Sequence, residues 1–169
     1  MAYLATTTDF TLRPIQSADN QQVAKIIRTV MTEFDAVGEG YSILDPEVDK
    51  MCEAYSGHRA AFFVVSKFET GEVLGCGGIG PLVGGEADVC ELKKMYFRPE
   101  LRGLGIGKKM VAICLEKAKE FGYRRCYLET CARMEQANQL YKKMGFEKIC
   151  GPMGATGHCG CDAWYVREV

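Results

Sequence analysis

Phe97-Arg-Pro-Glu-Leu-Arg-Gly-Leu-Gly-Ile-Gly-Lys-Lys-Met110 is the stretch that decides the fold. An apolar run ends here, glycines alternate from Gly103 to Gly107, and an amphipathic helix begins at once. The first turn of a helix leaves backbone N–H groups without partners, and these groups attract anions together with the helix dipole. Glycine in a helix costs roughly 0.5–1 kcal/mol relative to alanine. The stretch therefore predicts a strand, a turn and a helix whose backbone closely approaches a bulky anionic ligand.

The composition is that of an ordinary globular protein. The chain has 169 residues, of which 47% are hydrophobic and 25% are charged, and its net charge is −1. This length suits a single domain over residues 1–169. The near-zero charge indicates neither a nucleic-acid nor a membrane partner, and no apolar run approaches the roughly 20 residues that span a bilayer. Residues 1–12 lack the basic and apolar regions of a signal peptide, so we expect a cytoplasmic protein.

The chain contains nine cysteines, which is a high number. Their number is odd and no CxxC pair occurs, so we interpret most of them as small buried hydrophobic residues in a reducing compartment. His158-Cys159-Gly160-Cys161 resembles half of a zinc site but has no matching second half, so no metal is expected. His58 and His158 are isolated in the sequence, and we expect structural or surface roles for both.

Hydrophobic periodicity predicts a mixed α/β order, with antiparallel hairpins first and a β-α-β unit in the second half. The predicted strands are 9–15 (an edge strand), 60–68, 73–79, 87–97, 125–131, a strand from 145, and 162–169. The predicted helices are one capped by Ser17 and running to Phe34, a short one at 45–55, the main one at 106–121 and one at 134–144. No repeat or linker divides this order, which favours one domain.

The spacing of apolar residues in the strand 87–97 is irregular. Leu92 and Met95 are three residues apart, whereas Met95 and Phe97 are two apart. A regular strand keeps a period of two, so the change of phase predicts a β-bulge near Lys93 and Lys94. A bulge would leave backbone N–H groups unpaired for a ligand. The alternative is a partly exposed strand with two solvated lysines.

A second glycine-rich stretch, Gly75-Cys-Gly-Gly-Ile-Gly80, matches the dinucleotide-binding pattern GxGxxG and follows a strand. A nucleotide-dependent enzyme is therefore one alternative. However, Pro81 and the glycines at 84 and 85 exclude the helix that must follow such a motif. We interpret 75–80 as a hairpin strand with small residues.

Two linked motifs resemble the GCN5-related N-acetyltransferase (GNAT) superfamily. Arg102-Gly-Leu-Gly-Ile-Gly107 is similar to its acetyl-CoA signature, R/Q-x-x-G-x-G/A. Ala137-Asn-Gln-Leu-Tyr-Lys-Lys-Met-Gly-Phe146 is similar to its A-x-x-L-Y-x-x-x-G-F segment. The resemblance is specific from Glu91 to Phe146 and topological from residue 9 to residue 90. It implies the GNAT fold, a central, mostly antiparallel, splayed mixed β-sheet flanked by about four helices.

The same resemblance implies an activity. It is transfer of an acetyl group from acetyl-CoA to a primary amine, by direct attack in a ternary complex and without a metal. The acceptor would be a small-molecule or peptide amine, and a homodimer is an open alternative to a monomer. A non-catalytic acyl-CoA-binding or regulatory module on the same fold is the alternative function, although the retained Tyr141 favours the enzyme.

The resemblance also assigns residues to the cofactor. The backbone at the end of the strand 87–97 would pair with the pantetheine arm, and the amides that follow Arg102 would hold the pyrophosphate. Met134 departs from the family pattern, since many members carry an asparagine seven residues before the tyrosine. The residues assigned to acetyl-CoA are Met95, Tyr96, Phe97, Arg102, Gly103, Leu104, Gly105, Ile106, Gly107, Lys108 and Asn138.

The chemistry needs a base for the amine and an acid for the departing thiolate. The resemblance assigns the acid to Tyr141, because a phenol with a pKa of about 10 stays protonated at neutral pH. It assigns the base to Glu91, for which a solvated strand carboxylate is the alternative. Glu129, at the end of the next strand, is a candidate for holding a cationic substrate or for helping to remove the proton. We interpret Cys131 as a buried or mouth-lining thiol.

The loop between the first two helices, residues 36–45, borders the acceptor cleft in this fold. Glu39, Tyr41 and Asp45 bring negative charge and an aromatic ring there, which suits an amine-bearing acceptor. Residues 154–164 are expected to form the other wall. A mobile acidic loop without such a role is the alternative.

Overall fold

The strands of this protein form one mixed sheet. The computed structural model describes residues 5–6 and 9–169. The strand order is β1-β2-β3-β4-β5-β6-β8-β7, and every neighbouring pair is antiparallel except β5 and β6. The predicted mixed, mostly antiparallel sheet is confirmed. The strands are β1 (Ala5–Thr6), β2 (Phe10–Pro14), β3 (Ala61–Lys67), β4 (Val73–Pro81), β5 (Val89–Phe97), β6 (Arg125–Thr130), β7 (Glu147–Ile149) and β8 (Ala163–Glu168).

In the described part of the chain, four α-helices flank the sheet. The predicted helix at 45–55 is a 3-10 helix, Pro46–Lys50, followed by one short α-helix. Because strand residues alternate between faces, β3 contributes to two cores. Phe63 and Val65 pack with α3 and α4, whereas Phe62 and Val64 pack with α1 and α2. None of the helices in the described residues is long and apolar enough to cross a membrane. The helices are α1 (Asn20–Glu33), α2 (Met51–Ala54), α3 (Ile106–Glu120) and α4 (Glu135–Lys143).

Two predictions near the start of the chain were wrong. Ser17 does not cap α1, because Ser17–Asp19 forms a 3-10 turn ahead of the helix. The carboxylate of Asp19 belongs to a capping box of this 3-10 turn, since it accepts a hydrogen bond from the backbone N–H of Gln16 at 2.8 Å; it also pairs with Arg13 at 2.7 Å. Strand β2 is not at the edge of the sheet either, because β1 pairs with it on the side away from β3.

The predicted bulge in β5 is confirmed. Cys76 pairs with Tyr96 and Gly78 with Lys93, so β5 has one residue more than β4 between these two pairs. Lys94 lies in the bulge with a φ of 57°, in the left-handed region. Its side chain is only 1% exposed, so the alternative of two solvated lysines is wrong. The bulge directs the side chain of Lys94 toward the protein interior.

The glycines of β4 are required for packing. A Cβ at Gly77 would lie 2.4 Å from Sδ of Met95, and one at Gly75 would lie 2.5 Å from a ring carbon of Phe97. Residues 75–80 lie within β4, which confirms the interpretation as a hairpin strand. The close approach of β5 side chains accounts for Gly75 and Gly77, and that of Phe62 in β3 accounts for Gly78.

The sheet opens between β5 and β6. These strands pair in parallel only where Val89–Glu91 faces Arg125–Tyr127. Beyond Glu91, β5 continues to Phe97 with no strand of the described residues on that side. Helices α3 and α4 follow β5 and β6 in the chain, so both begin at the open end. The divergence therefore places a helix N-terminus and an unpaired strand edge together, as ligand sites in open α/β sheets require.

Candidate active site

The loop between β5 and α3 presents unpaired backbone amides. Gly103 and Gly105 have φ values of 77° and 74°, which glycine adopts without strain. Gly105 directly precedes α3, and no side chain caps this helix. Among the described residues, no acceptor takes a hydrogen bond from the backbone N–H groups of residues 103–108. The start of α3 is therefore ready to bind phosphate groups.

A groove of about 640 Å³ extends from these amides past β5 to α4. Three residues assigned to the cofactor lie outside it: Asn138, then Leu104, whose side chain is exposed, and Tyr96, whose hydroxyl contacts that of Ser42 at 3.1 Å. The assigned residues that line the groove are Met95, Phe97, Arg102, Gly103, Gly105, Ile106, Gly107 and Lys108.

Arg102 has protein partners at the groove entrance. Its guanidinium pairs with the carboxylate of Glu33 in α1, and its Nε donates a hydrogen bond to the backbone oxygen of Phe97 at 3.0 Å. These bonds join α1 to the start of the glycine loop. The charge of Arg102 is thus already compensated, which leaves the free amides, together with Lys108 and Arg133 of the groove wall, for an anion.

Asn138 does not line the groove. Its side-chain nitrogen donates to the backbone oxygens of Cys131 at 2.9 Å and of Met134 at 2.8 Å. Its Oδ1 accepts a hydrogen bond from the hydroxyl of Tyr165 at 2.7 Å. These bonds hold the turn before α4, so the geometry speaks against the predicted cofactor contact and for a structural role.

A small cavity of about 60 Å³ adjoins the groove. It is large enough for a few water molecules or the end of a small amine. Met95, Met134 and Tyr141 line both spaces, so the groove and the cavity meet at these side chains. The cavity is also lined by the predicted site residues Tyr41, Glu91, Tyr96, Glu129 and Cys131, and by Lys93, Lys94, His158 and Cys161.

Glu91 faces the cavity from β5 and is 3% exposed. The ammonium of Lys93 lies 3.7 Å from its Oε2, and no described residue donates a hydrogen bond to that oxygen. Burial raises the pKa of Glu91 to about 7, against the opposing effect of Lys93. A carboxylate that titrates near neutral pH beside a cavity is suited to accept a proton.

Tyr141 of α4 lies where the groove and the cavity meet. It is buried, and its ring packs against Phe146 and Tyr165 with centroid separations of 6.0 and 6.3 Å. Its hydroxyl makes no hydrogen bond to any described residue. Burial raises the pKa of Tyr141, so the phenol holds its proton at neutral pH and can donate it.

His158 is not isolated, contrary to the sequence-based expectation. Its side chain is 12% exposed and lies between two carboxylates, with Nε2 at 3.0 Å from Oδ2 of Asp45 and Nδ1 at 3.4 Å from Oε2 of Glu129. Hydrogen bonds to Asp45 and Glu129 raise the pKa of His158 to about 9, so the imidazole is charged at neutral pH. Asp45 lies 113 residues away in the chain, a separation across which the sequence carries no local signal.

The predicted acidic loop is partly neutralised within the protein. The ammonium of Lys94 contacts the carboxylate of Asp45 and lies 3.7 Å from that of Glu47. Although burial acts in the opposite direction, His158 and Lys94 hold the pKa of Asp45 below its usual range. Asp45 is therefore committed to internal ion pairs, and it offers little charge to an acceptor.

The other residues of the loop differ in their placement. Tyr41 lines the cavity, and its hydroxyl accepts a hydrogen bond from Arg133 at 3.0 Å. Glu39 is exposed and lines neither the cavity nor the groove. Cys131 is buried at the cavity wall, as predicted, and a hydrogen bond from Cys161 lowers the pKa of its thiol.

Glu91, Glu129 and His158 form a cluster with the composition of a metal site. One donor atom from each lies within 4.8 Å of the others. The carboxylate of Glu129 also accepts hydrogen bonds from the hydroxyls of Thr156 at 2.8 Å and Tyr127 at 2.9 Å. Both ring nitrogens of His158 lie beside carboxylates, at 3.0 Å from Asp45 and 3.4 Å from Glu129. The cluster is arranged as an ion-pair network.

Known proteins share this arrangement of strand, glycine loop and helix. The model of the acetyltransferase (GNAT) family matches residues 24–146. The chain belongs to the GNAT acetyltransferase family. A relative of this GNAT protein, the uncharacterized N-acetyltransferase YjgM of Escherichia coli K12, is 43% identical over 159 residues, which cover 94% of each chain. The resemblance inferred from the two motifs is thereby confirmed.

Solved structures confirm the GNAT fold of the chain. An acetyltransferase of the GNAT family from Staphylococcus aureus Mu50 has a TM-score of 0.81 at 20% identity, over 94% of this chain and 98% of that one. A GNAT superfamily phosphinothricin acetyltransferase from Sinorhizobium meliloti, solved in complex with AcCoA, has a TM-score of 0.75 at 22% identity, over 96% and 89% of the two chains.

Sequence reasoning missed the partners of two cavity residues in this GNAT protein, although one of them, His158, lies in segment 154–164, the predicted other wall of the cleft. Lys94 was treated as part of a bulge, but not as a buried partner of the acidic loop. The change of phase at Leu92 was the available signal, since a residue inside a bulge can turn inward. His158 lies in an irregular segment between β7 and β8, where no periodicity indicates its direction.

Proposed function

We propose that this GNAT protein transfers an acetyl group from acetyl-CoA to a small primary amine by direct attack in a ternary complex. The observation that carries the proposal is the position of Tyr141, whose hydroxyl has no hydrogen-bond partner among the described residues and lies at the junction of the groove and the cavity. The groove would bind the acetyl donor and the cavity the reacting end of the acceptor.

The groove has the features that a coenzyme A ester requires. The free amides of residues 103–108 would bind the diphosphate, and the positive end of α3 adds to this attraction. The open edge of β5 from Met95 to Phe97 would bind the pantetheine arm through its backbone. Acetyl-CoA supplies the activated acetyl thioester. Tyr96 and Leu104 would contribute only backbone atoms, because their side chains lie outside the groove.

Glu91 would act as the base and Tyr141 as the acid. An amine is a nucleophile only after it has lost a proton, and the buried Glu91 with a pKa of about 7 is matched to this task near neutral pH. The hydroxyl of Tyr141 would donate a proton to the departing sulfur, because its own pKa is raised by burial. Holding both reactants side by side contributes roughly 7–11 kcal/mol in favourable cases.

The size of the cavity supports an acceptor whose reacting end is slender. Tyr41 and Glu129 lie in the cavity wall and would border the acceptor. Glu129 would do so through the apolar part of its side chain, since Thr156, Tyr127 and His158 already surround its carboxylate. Glu39 would contact only an acceptor that extends beyond the cavity, because it is exposed on the same loop.

A thiol-release assay with acetyl-CoA and a panel of primary amines tests this proposal. We expect the parent protein to release CoA with some amines, and Tyr141→Phe to lower kcat by roughly 10²–10⁴-fold, the usual contribution of a general acid. Tyr55→Phe is the matched control. It also removes a buried hydroxyl that has no hydrogen-bond partner in the described residues, but Tyr55 lines neither the groove nor the cavity.

Two results would contradict the proposal. Equal rates for the parent and Tyr141→Phe would remove Tyr141 from the role of acid. Binding of acetyl-CoA without release of CoA across the whole panel would favour the alternative, a non-catalytic acyl-CoA-binding module.

A further inference from the structure

Two loops that are far apart in the sequence pack together over the cavity. The backbone N–H of Gly160 donates a hydrogen bond to the backbone oxygen of Gly40 at 2.9 Å. A Cβ at Gly160 would lie 2.5 Å from the ring of Tyr41, so glycine is needed for this contact. The segment between β7 and β8 is thereby held against the loop after α1, and His158 lies on the cavity side of the contact.

His158 joins three parts of the fold. Its ring bridges Asp45, from the loop after α1, and Glu129, from β6, at 3.0 and 3.4 Å. The side chains of the three groups are 12%, 21% and 3% exposed, so water screens these contacts only weakly. A neutral imidazole carries only one N–H and could donate to only one of the two carboxylates. The geometry therefore fits the imidazolium.

The carboxylates around the cavity do not all pair with a lysine. The cavity's own carboxylates are Glu91 and Glu129. Asp45 and Glu47 lie outside the lining but contact Lys94, which lines the cavity together with Lys93. Lys94 faces Asp45 and Glu47, and Lys93 lies 3.7 Å from Glu91. Neither lysine pairs with Glu129, which leaves His158 as the one cation paired with it among the described residues.

We propose that His158 is a positioning residue for the transfer reaction: as a cation between Asp45 and Glu129 it fixes Glu129, and it leaves Glu91 as the carboxylate free to take the proton of the amine. This inference rests on the proposed function. Without the cation, Glu129 would be a partly buried negative charge beside Glu91, with donors only in the hydroxyls of Thr156 and Tyr127. A carboxylate oxygen of Glu129 lies within 4.8 Å of one of Glu91, and a like charge this close disfavours ionisation of Glu91.

The charges that act on the pKa of Glu91 agree with the positioning role of His158. After burial, the groups that act on the pKa of Glu91 are Lys93, which lowers it, Glu129, which raises it, and then His158 and Lys94, which lower it. Removal of the His158 charge therefore acts on Glu91 twice, directly and through the uncompensated Glu129. The thiol of Cys161 also faces this group of charges, but it is uncharged at neutral pH because hydrogen bonding and burial raise its pKa.

The pH dependence of kcat/KM tests the proposal in four proteins. His158→Gln keeps a hydrogen-bonding side chain of similar reach without the charge, and we expect the limb assigned to Glu91 to move up by about one pH unit. His158→Lys restores a cation and should move the limb back toward the parent. His58→Gln is the matched control, because His58 is exposed and far from these contacts, and it should leave the profile unchanged. An unchanged limb in His158→Gln, or equal shifts in the Gln and Lys variants, would overturn the proposal.

A second measurement does not depend on turnover or on a substituted His158. In the His58→Gln protein, the remaining histidine gives one set of imidazole ¹⁵N resonances, and both nitrogens should be protonated at pH 7.5. A neutral tautomer at that pH would overturn the proposal.

Carbon NMR separates this inference from the proposed function. The carboxyl resonance of Glu91 reports its protonation directly, in the parent and in His158→Gln. A higher midpoint in the variant supports the role of His158 even if no amine is acetylated, in which case the proposed function alone fails. An unchanged midpoint overturns the role of His158, whatever the activity.

Discussion

The groove and the cavity meet at Tyr141, yet they differ in how much of each comes from one stretch of the chain. One wall of the groove is a consecutive stretch, from the end of β5 through the glycine loop to the start of α3, and the facing wall is formed by α1, the turn before α4 and α4 itself. The cavity is formed by residues from β5, β6, α4, the loop after α1 and the segment before β8. A local stretch of sequence therefore specifies the glycine-rich wall of the groove, whereas the other wall and the cavity exist only when distant segments pack together.

The two spaces also differ in how they acquire their chemistry. The groove presents the dipoles of the free amides and of α3 to an anion, together with charged side chains such as Lys108 in its wall. The cavity holds a network of full charges, in which Glu91 is buried with one oxygen unbonded among the described residues. Burial of a charge costs free energy, so the protonation of the cavity residues depends on their neighbours. We therefore expect substitutions in the cavity to change the rate of the reaction and its pH dependence. Substitutions in the groove should change the affinity for CoA.

Glu91→Gln is expected to have the largest effect. The amide keeps the shape of the carboxyl but cannot take a proton from the amine, so kcat should fall by roughly 10²–10⁴-fold. The dissociation constant of CoA should stay unchanged, because Glu91 does not line the groove. Steady-state kinetics at saturating acetyl-CoA and calorimetric titration with CoA measure the two quantities separately.

Glu69→Gln is the matched control for this change, since Glu69 is exposed in the turn between β3 and β4. It should leave both quantities as in the parent. A Glu91→Gln protein with normal kcat, or one that loses CoA affinity in proportion to kcat, would contradict the division between the two spaces.

The glycine-rich wall of the groove could be predicted from sequence because each of its parts leaves a local signal. Alternating glycines before an amphipathic helix indicate the free amides, and the change of phase between Leu92 and Met95 indicates the bulge. Asn138 shows the limit of this reasoning. A polar residue one turn before Tyr141 was assigned to the cofactor, but its side chain bonds to the backbone of the preceding turn instead. Local pattern gives the position of a residue and not its partner.

The cavity was less predictable for the same reason. Glu91 and Tyr141 were assigned through motif spacing, but their burial and free polar atoms follow from packing of the whole sheet. The partners of Asp45 are Lys94, 49 residues away, and His158, 113 residues away. Composition indicates that such charges exist, but only the fold decides which of them pair.

Gly105→Ala tests the contribution of the glycine loop to CoA binding in the groove. The φ of 74° costs a residue with a Cβ about 1–2 kcal/mol, although a Cβ at this position would meet no atom within 4 Å. The loop of the free variant relaxes, and binding must restore its conformation, so CoA affinity should fall by about 5–30-fold. Calorimetric titration with CoA measures this change.

Gly122→Ala provides the matched control at the other end of α3. Gly122 has a φ of 77°, and a Cβ there would also meet no atom within 4 Å. The two variants should lose similar stability in thermal melts, but only Gly105→Ala should lose CoA affinity. Equal affinity in both variants would mean that the start of α3 does not bind the diphosphate.

The smallest effect is expected in the thermal stability of the protein, through the buried carboxyl group of Glu91. The pKa of Glu91 is raised from 4.5 to about 7 in the folded protein, so its stabilising contribution is present below pH 4.5 and is lost as the pH rises through 7. This shift corresponds to about 3 kcal/mol at most. Each kcal/mol moves the Tm of a chain of this size by about 2–4 °C. Glu91→Gln, which stays neutral, should therefore melt about 5–10 °C above the parent at pH 8 and close to it at pH 4.5.

The comparison of Tm differences isolates Glu91 from its neighbours. His158, with a pKa raised from 6.5 to about 9, contributes stability that is present below pH 6.5 and is lost as the pH rises through 9. This contribution is present in both proteins and cancels to first order in the difference between them. Glu69→Gln, measured over the same range, gives the effect of removing an exposed carboxylate. If the Tm values of Glu91→Gln and Glu69→Gln differ from that of the parent by the same amount at pH 4.5 and at pH 8, the buried carboxylate is not destabilising. The charges of the cavity would then cost the fold no more stability than the groove does.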